Sequence, residues 1–187
     1  MNAAPTETRT EAALNAPPPL PSPERLQQLL FDAARMGRED VIEALVHAGA
    51  DIEARDERGH TPLVLASYHG MEAATATLLR LGADPDTLGD NGSALMGVAF
   101  KGHVAIADVL LRSGADPNLR NAAGQTSLMM AALFGRAAVV TLLLEAGASP
   151  DLQDITGTDA AALARSQGNE ALATMLESAA EPVVSDG

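Results

Sequence analysis

The chain has 187 residues, 47% of them hydrophobic and mostly Ala and Leu, with no cysteine and a net charge of −13. That length supports one substantial core, and the lack of cysteine excludes disulfides, thiolate metal sites and a cysteine nucleophile. The negative charge argues against general nucleic-acid affinity, which needs Lys and Arg to neutralise phosphates.

Residues 1–22, rich in Pro, Ala and Thr, read as a disordered arm. Within it Pro17-Pro18-Pro19-Leu20-Pro21 favours polyproline II, as a stiff spacer or as a ligand for an aromatic groove elsewhere. The prolines and charges of this stretch do not suit a secretory signal, and no later apolar run reaches the roughly 18 residues of a membrane span. A soluble cytoplasmic protein is expected.

A first unit follows over residues 23–55. Leu26, Leu29, Leu30 and Ala33 share one helical face, and Val41, Ile42, Leu45 and Val46 point inward from a second helix over Glu39–Ala48. Arg25, Gln27 and Gln28 keep the remaining face polar, as suits the end of a stack. The second unit, 56–88, has the clearest punctuation. Thr61 can cap a helix that Pro62 opens, Leu63, Leu65 and Ala66 form its apolar face, and Gly70 ends it. A second helix carries Ala74, Leu78 and Leu79, and Gly82 closes it. Such a pair is too small to bury its own apolar face and needs copies alongside.

The copies are present. A glycine before the first helix recurs as Gly59, Gly92, Gly124 and Gly157, and one between the helices as Gly37, Gly70, Gly102, Gly135 and Gly168. Gly-Ala after the second helix recurs at Gly49, Gly82, Gly114 and Gly147. The third unit, 89–120, is one residue short: only Ser93 and Ala94 separate Gly92 from Leu95, so its Thr-Pro start is missing and its finger is expected to be the weakest junction. The fourth, 121–153, keeps Thr126 but has Ser127 in place of Pro. The fifth, 154–177, has Ala161 where the others have Leu, as suits a closing unit, and 178–187 read as a flexible tail.

This pattern, with Gly-x-Thr-Pro-Leu-x-x-Ala best kept at Gly59–Ala66, resembles the ankyrin repeat of small stand-alone bacterial proteins. The resemblance implies an all-α solenoid of about five stacked helix pairs with short β-hairpin-like fingers. It also implies a protein-binding adaptor or regulator, monomeric, that recognises its partner through a concave face lined by finger tips and first helices.

Searching the chain for chemistry turns up little. Asp84, Asp86, Asp116, Asn118 and Asp151 follow helix-ending glycines and read as turn residues. There is no phosphate-binding glycine loop, and neither Gly-x-Ser-x-Gly nor His-Glu-x-x-His occurs. Of the four histidines, His47 suits a helix end, and His103 follows Gly102 where a structural hydrogen bond is expected. His60 and His69 flank one helix, and a metal there would need a third ligand. No catalytic residue, cofactor or metal is assigned, and no nucleic-acid or membrane partner is expected. A metal or small-ligand protein using His60 and His69, or an acidic decoy for a basic surface, are the alternatives.

By register the concave face receives Arg35 and Met36 from the first unit, and Glu57, Arg58, His60, Tyr68 and His69 from the second. The third adds Asp90, Asn91, Ser93, Phe100 and Lys101, the fourth Gln125, Leu133 and Phe134 beside Ala122 and Ala123. Ile155, Thr156, Ser166 and Gln167 close the row. Tyr68, Phe100 and Phe134, three of the chain's four aromatics, fall just before successive interhelical glycines. They are expected to form a line of about 10 Å steps, as a binding stripe or as packing between units. Arg35, Arg55, Arg58, Lys101 and Arg120 outnumber Glu57 and Asp90 there, which suggests a partner with an acidic patch.

Overall fold

Every first helix of a pair begins at a side chain able to accept a backbone N–H, so the orphan amides of a helix start have partners. In the computed structural model, which describes residues 21–180, Ser22 caps α1 (Pro23–Met36), Thr61 caps α3 (Pro62–Tyr68) and Ser93 caps α5 (Ala94–Lys101). Thr126 caps α7 (Ser127–Leu133) and Asp159 caps α9 (Ala160–Ser166). The second helices α2 (Glu39–His47), α4 (Glu72–Arg80), α6 (Val104–Arg112) and α8 (Ala137–Glu145) start without such caps. For three of them the interhelical glycine's carbonyl takes the first amide, as Gly70 does from Glu72 at 3.1 Å. The last second helix, α10 (Glu170–Ala180), is capped by Asn169 at 3.2 Å.

The helices form two layers. The inner row is α1, α3, α5, α7 and α9, each packed on the next, and each outer helix packs on its own inner partner. Small residues set the inner spacing: Ala34, Ala66, Ala99, Ala131, Ala132 and Ala164 are fully buried. Leu63, Leu95 and Leu128 of the inner row and Leu78, Leu110 and Leu143 of the outer row are all buried in one continuous apolar core. The architecture is therefore the expected all-α solenoid of five helix pairs. The fingers between pairs are tight turns and not hairpins of regular strands: among the described residues the pairing is one isolated bridge, Gly89 to Gly92.

Adjacent units are locked at two places. Each interhelical glycine has positive φ, a conformation that L side chains resist, and the next unit leans on the first four, Gly37, Gly70, Gly102 and Gly135. The His103 ring lies against Gly70 and the Arg136 side chain against Gly102, so a methyl group would crowd both. His103 thus packs by shape, and its ring makes no hydrogen bond among the described residues. On the opposite edge, side chains before one finger bond the backbone of the next unit. Glu53 accepts from the Asp84 amide at 2.8 Å, Asp86 from Asp116 at 2.9 Å, and Asn118 from Ser149 at 2.8 Å. Asp84 and Asp116 do close their own turns, but Asp86 and Asn118 are staples between units.

The third unit corrects an expectation. Its helix start is not lost: the Ser93 hydroxyl accepts from Met96 N at 3.4 Å, as Thr61 does from Val64 N at 3.3 Å. Ser93 and Ala94 therefore stand where Thr61 and Pro62 stand, and the absent residue is the counterpart of His60. The ends also differ slightly from the sequence boundaries. Ser22 belongs to the cap of α1, and α10 continues through Ala180, beyond Glu177. The rest of the arm, residues 1–20, and the last residues, 181–187, lie outside the described residues.

Candidate functional site

An open cleft of about 880 Å³ runs between the fingers of the second and third units and the inner helices α1, α3, α5 and α7. Eight of the residues expected on the concave face border it: Arg35, Arg58, His60, Tyr68, His69, Asn91, Ser93 and Phe100. Its floor is apolar, made by Leu65, Met96, Gly97 and Met130.

Finger chemistry positions the polar wall. Asp56 accepts from the backbone N–H groups of Arg58 and His60, both at 2.9 Å, closing the second finger into a rigid turn. Its other oxygen takes Arg35 of the preceding unit at 2.7 Å, and Arg35 also reaches Asp32 at 3.2 Å. The Asp56 side chain is only 8% exposed. Burial disfavours its charge, but the His60 and Arg58 amides and the Arg35 guanidinium outweigh that and hold the carboxyl below its ordinary value. His60 sits with Nδ1 3.6 Å from Asp56 and Nε2 3.3 Å from the Asn91 amide nitrogen, so it bridges two fingers.

The aromatic row forms the other wall. Tyr68 and Phe100 stack with centroids 6.2 Å apart and planes 10° from parallel, and Phe134 meets Phe100 edge-on at 4.4 Å. These steps are shorter than expected because the rings lean toward one another along the stack instead of projecting side by side. The row is both packing and surface: Phe100 is half-buried, while Tyr68 is 37% and Phe134 42% exposed. Lys101 lies over the Tyr68 ring, 4.8 Å from its centroid, a cation–π contact at the rim.

The remaining expected residues stand apart. Met36, 64% exposed, faces a smaller hollow beside Val41 and Leu45 at the first unit. Gln125 is held within its own finger by Asn121 at 3.1 Å, and Leu133 is half-buried next to Phe134. The expected surplus of positive charge is reduced. Arg35 is neutralised by Asp32 and Asp56. Arg55 reaches the Gly59 carbonyl at 3.4 Å, and Arg120 binds the carbonyls of Gly124 and Gln153. Arg58 and Lys101 make no ion pair among the described residues.

Leu65, Gly97 and Met130 were not foreseen in the site, though a signal existed. They lie five residues before the interhelical glycine, three before Tyr68, Phe100 and Leu133, and residues three apart share a helix face. Among the described residues no three His, Asp or Glu side chains stand close enough to hold a metal ion, so His60 and His69 gain no third ligand. No helix among them is long and apolar enough to cross a membrane.

Two family models match the chain: ankyrin repeats (3 copies) over residues 95–186, and ankyrin repeats (many copies) over residues 30–79. An ankyrin repeat-containing protein of Treponema pallidum is 38% identical over 96 residues, 50% of this chain and 32% of that protein. Neurogenic locus notch homolog protein 1 of Danio rerio is 35% identical over 103 residues, 54% of this chain and 4% of that protein. Ankyrin repeat and SOCS box protein 16 of Mus musculus is 34% identical over 108 residues, 53% and 24%. The matched stretch thus spans about a third or less of each of these relatives.

Proposed function

The chain belongs to the ankyrin-repeat family, a protein–protein interaction module, and from that premise we propose that it is a non-catalytic adaptor or regulator whose partner docks in the cleft between fingers and inner helices. The observation that carries this reading is the joining of eight of the expected residues, from three units, in one trough with an apolar floor and a half-exposed aromatic wall. Aromatic and arginine side chains at such a centre are the usual anchors of an interface. Arg58 and Lys101 border the trough in a chain of net charge −13, which favours a partner with an acidic patch whose association slows as salt rises.

The test is affinity capture with the intact chain and with a Tyr68→Ala, Arg58→Glu, Phe134→Ala triple variant, using Arg112→Glu on the outer α6 as a control. A partner retained by the intact chain and the control but lost by the triple variant is the expected result. Equal capture by all three would overturn the reading.

A further inference from the structure

Two departures from the repeat border the same cleft. The position five before the interhelical glycine carries Asp32, Leu65, Met130 and Leu163 in the other units but Gly97 in the third. The finger-to-helix position filled by His60, Gln125 and Thr158 has no residue there at all. Gly97 has no need of a glycine's backbone freedom, since it lies within α5 and its φ is not positive. Its missing side chain lets the Tyr68 ring come close, within 3.3 Å of where a Cβ would stand, and leaves Gly97 half-buried on the lining of the cleft beside that ring. Below, Met96 folds under the short finger, its sulfur against Gly92. The result is a hollow bounded by the Tyr68 and Phe100 rings, Leu65 and Met130.

Charge at the rim is one-sided. Among the lining arginines and carboxylates, Arg35 and Arg58 stand against the single carboxylate Asp56, which leaves one net positive charge. Arg35 is already spent on Asp56, so the available cation is Arg58. Sites for small molecules enclose most of the ligand, whereas this trough, between two fingers and four helices, is only partly enclosed. It accommodates a side chain together with several residues of backbone.

We propose that this hollow receives an extended peptide segment of the partner, seating one large apolar side chain over Gly97 with a neighbouring carboxylate on Arg58. The assignment rests on the cleft being the binding face and adds what that face selects. Residue 97 is then a specificity position: any side chain there occupies the seat.

Tyr68 is the chain's one tyrosine and there is no tryptophan, so intrinsic fluorescence reports on the hollow directly. The probe is acetyl-Ala-Phe-Glu-Ala-amide, compared with the same peptide carrying Gln for Glu. Titration should give a saturable change with Kd on the order of 1 mM, as suits so small a ligand. The Gln peptide should bind about fivefold more weakly or worse, through loss of a charge-assisted contact. Gly97→Leu should abolish the response while the chain still unfolds in one cooperative transition, and amide chemical shifts around α5 supply a second readout independent of Tyr68. No saturable response from the parent chain, equal affinity for the two peptides, or binding retained in Gly97→Leu would each overturn the assignment. Phenylacetate binding as tightly as the peptide would mark a small-molecule site and overturn it as well. Partner capture separates this from the broader reading. If Gly97→Leu captures the partner normally while the triple variant does not, the seat is wrong and the cleft stands; if the triple variant also captures it, the cleft itself is wrong.

Discussion

The second and third units carry the same helix pair beneath different fingers. Both helix starts are capped, by Thr61 and Ser93, and both place a buried leucine, Leu63 or Leu95, between the layers. The second finger is closed by Asp56, which gathers two amides and a guanidinium from the first unit. The third has no such carboxylate and is closed by the reciprocal bonds between Gly89 and Gly92, at 3.0 and 3.2 Å, with Asn91 reaching His60 of the second finger at 3.3 Å. One residue fewer and one glycine more convert a filled stretch of groove into an open seat without disturbing the helices below. A stack can thus change its surface at one repeat while its interior stays periodic, because core and groove positions occupy different faces of the same short helix.

The largest effects should be equal in the two units. Leu63→Ala and Leu95→Ala each remove a fully packed side chain and should each cost about 3 kcal/mol in denaturant unfolding. A much smaller loss for Leu95 would break the claim that the interiors match.

A contrast should appear at the fingers. Asp56→Asn leaves Arg35 with less to bind and weakens two amide bonds, so a loss of about 2 kcal/mol is expected, with no counterpart for Asp90→Asn. The sign with pH follows from the lowered Asp56 carboxyl. Its stabilisation is fully present above the unfolded value of about 3.9 and is lost as pH falls through the folded value. The parent should therefore lose stability below about pH 4 more steeply than Asp56→Asn. Hydrogen exchange sharpens the contrast further: residues 89–92 should open faster than 56–60, while amides within α5 and α3 are equally protected. Fast exchange reaching into α5 would mean that the Ser93 cap does not compensate for the short finger.

Smaller still are the caps. Thr61→Ala and Ser93→Ala should each cost about 1 kcal/mol, and a negligible effect at Ser93 would undo the equivalence of the two helix starts. The smallest change runs the other way. Gly97→Ala should stabilise by about 0.5 kcal/mol, the gain in helix propensity being reduced by contact with Tyr68. A clear destabilisation would show that the ring cannot yield and that Gly97 serves packing.

Much of this was legible in order of residues. The recurring glycines, the Leu-rich faces and the capping hydroxyls specify short helices, their ends and their number through local backbone chemistry alone, and their period requires stacking because no pair buries its own face. The positions of Tyr68, Phe100 and Phe134 followed from the same register. What escaped the sequence lies between units. That Arg35 spends its charge on Asp56, that Asp86 and Asn118 reach the next unit's backbone, and that the aromatic rings close to 4.4 and 6.2 Å depend on how neighbours settle against one another. Periodicity counts residues along the chain and carries no distances across it. The seat over Gly97 belongs to the second kind: a glycine and a missing residue are visible in the sequence, but only the approach of α3, α5 and α7 brings their two absences together into one hollow, since the walls of a cavity come from elements that local pattern treats separately.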